Sequence, residues 1–348
     1  MVAVSSRYGA KSSDELTMAR IAIVYEISQN PLFESVGESN ADRLTEFAQP
    51  SEIDSIVSTL KDLGHSIGVI DGPFDLLQRA EDVRAEFDLV FNKSLGFKGI
   101  ERKIHVPSIC LLYGIPMLGS SAYSMTLARH KFHTNRLLAG LGYRVPGAVL
   151  MTGQNPPCLE SLRLPLIVKP NQESDAVGIS TDSVVNGHIE AIARARWIVK
   201  TFNQPAIIEE FIGGEEWKIP VLGNLEMAQA MGNVGVMRNG EPILGSLQTR
   251  QDLLERRLRH YAVPDNEASA EAKSLAEAVH RDLGLADYSR CDFRLDDEGQ
   301  VYCLEVSTHP ELNRHSSFIA GASIGGQSYS EILESIVRTA LLRHADSP

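Results

Sequence analysis

At 348 residues the chain has room for two or three compact units, because a single hydrophobic core rarely grows far past the size of one ordinary domain. Hydrophobic residues make up 43% and charged residues 22%, near the globular average, which excludes wholesale disorder. The formal charge of −12, from 33 Lys and Arg against 45 Asp and Glu with no long basic run, argues against a nucleic-acid partner, although a few placed cations can still hold a small anion.

Residues 1–18 mix Ser, Gly, Lys and Asp and hold no apolar core of the length a signal peptide needs, so they read as a disordered leader. No run approaches 18 uninterrupted apolar residues, so no membrane span is expected and the cytoplasm is the expected address. Cys110, Cys158, Cys291 and Cys303 are spaced unlike zinc knuckles and fit reduced thiols buried as small hydrophobes.

From residue 21 short β-branched runs alternate with helical patterns, the mark of a parallel sheet wrapped by helices. IAIVY (21–25) predicts a buried strand. Ser51 is placed to cap a helix whose Ile53, Ile56, Val57, Leu60 and Leu63 follow helical spacing. Strands follow at 67–70, 89–92 and 115–118, with a helix near 109–112 and a boundary in the Gly and Ser of 119–121. The middle third opens with a helix carrying Lys131, then an apolar strand, LPLIVKP (164–170), runs into a polar loop, and AIIEEFI (206–212) is a second strand. After that the pattern turns antiparallel. VGVMRNGEPIL (234–244) carries the Asn239 and Gly240 pair that favours a two-residue hairpin turn. Residues 246–266 are basic and polar, with Arg250, Arg256, Arg257 and Arg259, and read either as a lid loop or as a solvated helix face.

The chemistry-bearing residues gather in three segments. SRCDFRLDDEGQVYCLEVS (289–307) reads as two strands joined by a turn at 296–299; strand alternation puts Arg290, Asp292 and Arg294 on one face and Cys291, Phe293 and Leu295 on the other. Asp292 and Glu305 can then face each other across the hairpin, an arrangement suited to Mg²⁺ shared with phosphate oxygens. Lys169 ends an apolar strand, and the QESDAVGIS that follows offers backbone N–H groups to a phosphate. Glu209 and Glu210 end another apolar strand, with Glu215 and Glu216 beyond Gly213 and Gly214, where carboxylates can accept ribose hydroxyls.

Together these segments resemble the D-alanine–D-alanine ligase branch of the ATP-grasp superfamily, along the chain from 21 to about 342. The resemblance implies a mixed α/β chain, α+β toward its end, in three domains after the leader: an N-terminal open parallel domain (19–118), a central ATP-grasp domain (119–209) and a C-terminal ATP-grasp domain (210–344). It assigns Lys131, Lys169 and Glu173 to the nucleotide phosphates and their loop. Glu209, Glu210, Phe211 and Ile212 fall to the adenine pocket and Glu216 to the ribose. Asp292, Glu305 and Ser307 are the implied ligands of two Mg²⁺ (or Mn²⁺) ions; Arg290 steadies the reacting centre, and Ser316 stands on the acceptor side. The implied reaction makes an acyl phosphate from a small carboxylate and ATP and passes the acyl group to a small amine; the implied assembly is a homodimer.

The chain also departs from that pattern. Ser307 stands where the family has asparagine, and Asp175 where it has serine. The glycine-rich start becomes VYEISQN (24–30), and the first-substrate stretch becomes NKSLGFKGIERK (92–103), so a donor other than D-alanine is expected, with Lys93, Lys98, Glu101 and Arg102 as candidate contacts. A cyclising ligase and an ATP-grasp kinase remain as alternative readings.

Overall fold

The computed structural model describes residues 18–26, 49–96, 99 and 101–345. The leader expected at 1–18, except Met18, lies outside them, as do residues 27–30 of the VYEISQN stretch and Lys98. Among the described residues three sheets carry the fold.

In the first, β1 (Arg20–Tyr25), β2 (Ser66–Asp71), β3 (Leu89–Asn92) and β4 (Met117–Leu118) run parallel in the order β2-β1-β3-β4. Strands covered on both faces should be apolar throughout, and Ile21, Ala22, Ile23 and Val24 are all fully buried. The helix after β1, α1 (Pro50–Asp62), begins earlier than expected: Gln49 is its N-cap, with no side-chain cap bond, and Pro50 opens the helix, where a missing N–H costs nothing. Ser51 lies inside the first turn.

The second sheet contains β5 (Ala148–Met151), β8 (Ala206–Glu210), β6 (Leu166–Pro170) and β7 (Val184–Val185) in that spatial order. Every pairing in it is antiparallel, so the change of strand logic falls at the entry to the middle unit and not after residue 212. A helix, α2 (His188–Phe202), buries Ala191, Ala195, Ile198 and Phe202 against it.

The third sheet has β12 (Glu241–Pro242), β11 (Val234–Arg238), β9 (Glu216–Leu222), β14 (Tyr288–Leu295) and β15 (Val301–Ser307) in sequence, with β10 (Gln229–Ala230) on β9 and β13 (Leu258–Ala262) on β11. Asn239 and Gly240 make the expected two-residue turn with φ of 55° and 88°, setting Arg238 opposite Glu241. Residues 246–266 are more ordered than a loop or one solvated helix. Thr249 and Asp252 form a reciprocal capping box that starts a short helix, α3 (Arg250–Leu254), and β13 then pairs with all five residues of β11.

The last helix, α4 (Tyr329–Ala345), returns to the first sheet. Its Ile332, Ile336, Val337 and Ala340 share one core with Ile21, Ile23, Leu89 and Phe91, so the segment expected to close the third unit (210–344) completes the packing of the first (19–118). A buried carboxylate ties the units together: Asp287 accepts from the Gly119 amide at 2.8 Å, from Asn224 Nδ2 at 3.1 Å, and from Arg343 Nε and Nη2 at 2.8 and 2.7 Å. Its side chain is wholly inaccessible. Asp287→Ala strands the Arg343 charge and leaves buried donors unpaired, so a loss of about 3–5 kcal/mol is expected. Chemical denaturation should show it, and a change of less than about 1 kcal/mol would remove this knot from the account of how the units are joined.

Candidate active site

Register across the third sheet builds the floor of the site. Antiparallel pairing sets Lys218 of β9 opposite Asp292 of β14, and Asp292 opposite Glu305 of β15. The neighbouring rows are Pro220, Arg290 and Ser307 on one side, and Glu216 with Arg294 on the other. The opposite face sends Cys291 and Phe293 into the core beneath, as period-2 alternation requires. The middle sheet supplies the facing wall with Lys169 on β6 and Glu209 on β8, while Phe211 and Ile212 continue the chain beyond β8. Between the walls is a cavity of about 1140 Å³, closed from above by residues of the 247–260 segment and from the N-terminal domain by Lys93 and Leu95. Among its lining residues are twelve Lys and Arg against nine Asp and Glu, so a chain of charge −12 holds a cavity with a cationic surplus. Such a cavity selects for an anion.

Each functional charge has a partner. Lys131 Nζ lies 3.0 Å from Glu305 Oε1 and donates to the Glu173 carbonyl; Lys169 Nζ lies 2.6 Å from Glu209 Oε2. Burial pulls the Lys169 ammonium down, but Glu209, Glu305 and Glu216 outweigh it and hold the group above its ordinary range. Asp292 takes a two-pronged grip from Arg290 (Nε to Oδ1 2.6 Å, Nη2 to Oδ2 2.9 Å) and a third bond from Lys218 Nζ at 2.7 Å. Burial works to raise its carboxyl, yet the two cations bring it to about 2, so it is ionised at any working pH. His260, also on the cavity, is lowered to about 4 by burial and by Lys218 and Arg290, and is neutral.

The remaining sequence candidates divide by geometry. Phe211, Ile212, Glu216, Ser307 and Ser316 all line the cavity. Glu216 is bound by Lys218 Nζ (3.1 Å), Arg294 Nη2 (3.1 Å) and Gln248. Glu210 is tied to the exposed Arg163 at 2.9 Å. Ser316 caps the short helix Ser317–Ala322, and Ser317 Oγ accepts from Arg290 Nη1 at 3.1 Å. Glu173 is turned away from the cavity lining: buried, it meets Gln204 Nε2 at 2.6 Å and Arg129 at 3.5 Å, and so anchors the loop whose carbonyl holds Lys131. In that loop Asp175 and Ala176 both take left-handed backbone, φ 51° and 55°, a conformation non-glycine residues adopt at a cost and which clusters at ligand-holding loops. Of the first-substrate candidates, Lys93 lines the cavity and pairs with Glu52 at 2.9 Å, Glu101 bonds His130 at 2.6 Å, and Arg102 lies 3.9 Å from Glu173.

Among the arginines of 250–259, Arg250 is the one bonded to the loop after Lys169. Its amide donates to the Ile179 carbonyl and its Nη1 to the Asp175 carbonyl, while Nε and Nη2 are buried on the cavity with no partner among the described residues. That pair of donors forms the edge of a guanidinium that takes two oxygens of an anion. Two further cations line the cavity: Arg294, which strand alternation put on the Asp292 face without a role, and Lys218, which sequence reasoning passed over. Arg294 reaches the Ile212 carbonyl at 2.9 Å and the Ser246 carbonyl at 2.6 Å, and its guanidinium lies 5.1 Å from the Phe211 ring centroid. Lys218 is the other. The signal was present, since Trp217, Ile219 and Val221 alternate with it as a half-buried strand should, but Pro220 argued against a central strand. Pro220 is tolerated where pairing passes from β11 to β10.

Known proteins resemble this chain along most of its length. Residues 152–338 match the family described as D-ala D-ala ligase C-terminus. An uncharacterized protein of Sinorhizobium fredii, y4sG, is 27% identical over 339 residues, covering 93% of this chain and 98% of its own. The D-alanine–D-alanine ligase of Bordetella petrii is 30% identical over 281 residues, 79% of this chain and 83% of its own. The crystal structure of Bacillus anthracis D-alanine–D-alanine ligase complexed with ATP superposes with a TM-score of 0.72 over 94% of this chain and 98% of its own, at 20% identity, which speaks to the shared fold. No helix among the described residues is long and apolar enough to cross a membrane. The chain belongs to the D-alanine–D-alanine ligase-like branch of the ATP-grasp superfamily of ATP-dependent ligases.

Proposed function

We propose that this chain is an ADP-forming ligase that activates the carboxylate of an amino acid or small acid as an acyl phosphate and passes the acyl group to an amine. The observation that carries the reading is one cavity lined by the cations Lys131, Lys169 and Arg250 together with Arg290, Asp292 and Glu305 of the third sheet. Phosphoryl transfer needs positioning and charge stabilisation more than covalent chemistry from the protein, and these residues supply both. Lys131 and Lys169 hold the phosphates as point charges, and the unpartnered edge of Arg250 takes the transferred phosphoryl group. The adenine lies against Phe211 and Ile212, and the ribose reaches Glu216. Arg290, anchored by Asp292 and Ser317, offers positive charge to the oxyanion that forms when the amine attacks; Ser316 lies beside it on the acceptor side.

Among the described residues no three His, Cys, Asp or Glu side chains gather into a closed metal centre. A cation here must complete its shell with substrate oxygens, which is the habit of Mg²⁺ and fits Glu305, about a third exposed, beside Ser307. When bound there, Mg²⁺ or Mn²⁺ offsets phosphate charge.

The donor we propose is more polar than D-alanine. Its end of the cavity presents Lys93, Lys103 and His309, a poor match to a methyl side chain. ADP release measured over a panel of amino acids and small acids, alone and in pairs, with mass spectrometry of active mixtures, should show dependence on a carboxylate and amine pair and yield their condensation product. Water lost from a single substrate would assign the cyclising version. With hydroxylamine as the trap, a hydroxamate marks the acyl phosphate, and a stable phosphorylated product without one would assign a kinase.

Two substitutions test the phosphate assignments. Lys169→Met should raise the ATP KM roughly 10- to 100-fold, the equivalent of about 1.5–3 kcal/mol of charged hydrogen bonding; an unchanged ATP dependence in a folded variant removes the role. Arg250→Ala should lower kcat on the order of 10²-fold, the scale of losing one stabilising donor. Arg257→Ala is the control, since Arg257 pairs with Glu255 at the surface. Equal effects in both would remove Arg250 from the mechanism.

A further inference from the structure

The floor of the cavity carries a cation in an unusual place. Lys218 meets two acidic groups that the site assigns to different parts of the nucleotide, Asp292 across the sheet and Glu216 two residues earlier on its own strand: its Nζ is 2.7 Å from Asp292 Oδ2 and 3.1 Å from Glu216 Oε1. The placement is fixed by register, because β9 and β14 pair without a break from Tyr288 opposite Leu222 to Arg294 opposite Glu216. Directly opposed side chains in such a ladder have Cβ atoms about 4.5–5.5 Å apart, so the ammonium cannot stray far from the carboxylate. It is also enclosed, with 9% of its side chain exposed.

Asp292 is correspondingly filled. Oδ1 carries Arg290 Nε at 2.6 Å, and Oδ2 carries both Arg290 Nη2 at 2.9 Å and Lys218 Nζ at 2.7 Å. One negative charge faces two positive ones. A divalent ion drawn to Asp292 would have to come within van der Waals reach of an ammonium and a guanidinium, or displace one and leave it buried with no counter-charge. Glu305 is different. It faces Lys131 at 3.0 Å, keeps 31% of its side chain exposed, and lies on the Ser307 side of the row.

We infer that Lys218 takes the place of a second divalent cation, so that this site works with one metal ion on the Glu305 side and a resident ammonium on the Asp292 side. The inference rests on the ATP-ligase reading and refines it. An ammonium suits the position, since it is a compact charge with three donors and can bond Asp292, Glu216 and a phosphate oxygen at once. Asp292 then acts as a positioning residue, holding Arg290 and Lys218 toward the cavity, and Glu305 is the metal ligand.

The test is a count. Mn²⁺ bound per protein is measured by equilibrium dialysis and by the loss of free-Mn²⁺ paramagnetic resonance signal, with the full chain saturated by the non-hydrolysable analogue adenylyl imidodiphosphate. One Mn²⁺ is expected in the wild type and in Asp292→Asn, less than one-tenth of that in Glu305→Gln, and two in Lys218→Met, whose stem fills the same space without the charge. Two Mn²⁺ in the wild type would overturn the inference while leaving the nucleotide site intact. One in both wild type and a folded Lys218→Met would deny that the lysine occupies a metal's place. No retained nucleotide at all would overturn the ATP reading along with it. Because the wild-type count decides on its own, failure of a variant to fold does not rescue the idea.

Discussion

Buried charge must be paired, and that constraint shapes this molecule more than any other. Removing a carboxylate or an ammonium from water is costly unless an opposite charge and well-directed hydrogen bonds replace the solvent. The cavity lining answers with close pairs: Lys169 with Glu209, Lys131 with Glu305, Lys218 and Arg290 with Asp292, Arg294 with Glu216. Sheet geometry makes the pairs possible. Antiparallel register sets one side chain opposite another at a fixed separation, so the facing of opposite charges between β9 and β14, Lys218 with Asp292 and Glu216 with Arg294, is a property of the strands themselves. A site mounted on three hydrogen-bonded strands is also more rigid than one mounted on loops.

The same rule holds at the junction of the units. Asp287 carries a full charge in an inaccessible position, and it is tolerable only because Arg343, arriving on the last helix, meets it together with two neutral donors. The last helix therefore does two things at once: its apolar face fills the core of the first sheet, and its arginine neutralises a group at the start of β14. Strand β14 carries Arg290 and Asp292, so the packing of the chain's last helix bears directly on the position of the proposed reacting centre.

Much of this was legible in the sequence where the physical signal is local. The alternation in SRCDFRL assigned Arg290, Asp292 and Arg294 to one face, and the Asn239 and Gly240 pair fixed a turn, because both follow from the geometry of a few consecutive residues. Lys169 was visible as a charge closing an apolar strand. What could not be read was non-local. The burial of Glu173 depends on Arg129 and Gln204, thirty or more residues away, and the choice of Arg250 over Arg256 or Arg259 depends on carbonyls of a loop some seventy residues earlier. Residues 246–266 read as a lid loop or a solvated helix face, and not as a strand, because LRHYA carries little apolar character; pairing with β11 supplies the order that its own composition does not. Strand β9, which carries Lys218, is the opposite case: Pro220 is a local mark against a strand, and it is accommodated because two partner strands divide that edge.

Pairing every charge in advance raises the question of how an anion as highly charged as a nucleoside triphosphate gains entry. If cations and carboxylates were balanced, each phosphate contact would have to break a buried pair and leave its carboxylate stranded. The surplus of positive groups on the lining removes that requirement, and the geometry shows where it is kept. Lys218 and Arg290 together exceed the one charge of Asp292, and Arg250 is held by backbone carbonyls alone, with two donors left over. In the proposed ligase phosphates therefore join existing pairs as additional acceptors, with Lys169 and Lys131 bridging between their carboxylates and the ligand. The carboxylates keep the lysines charged and aimed while the cavity is empty, and the excess cations supply the attraction when it fills.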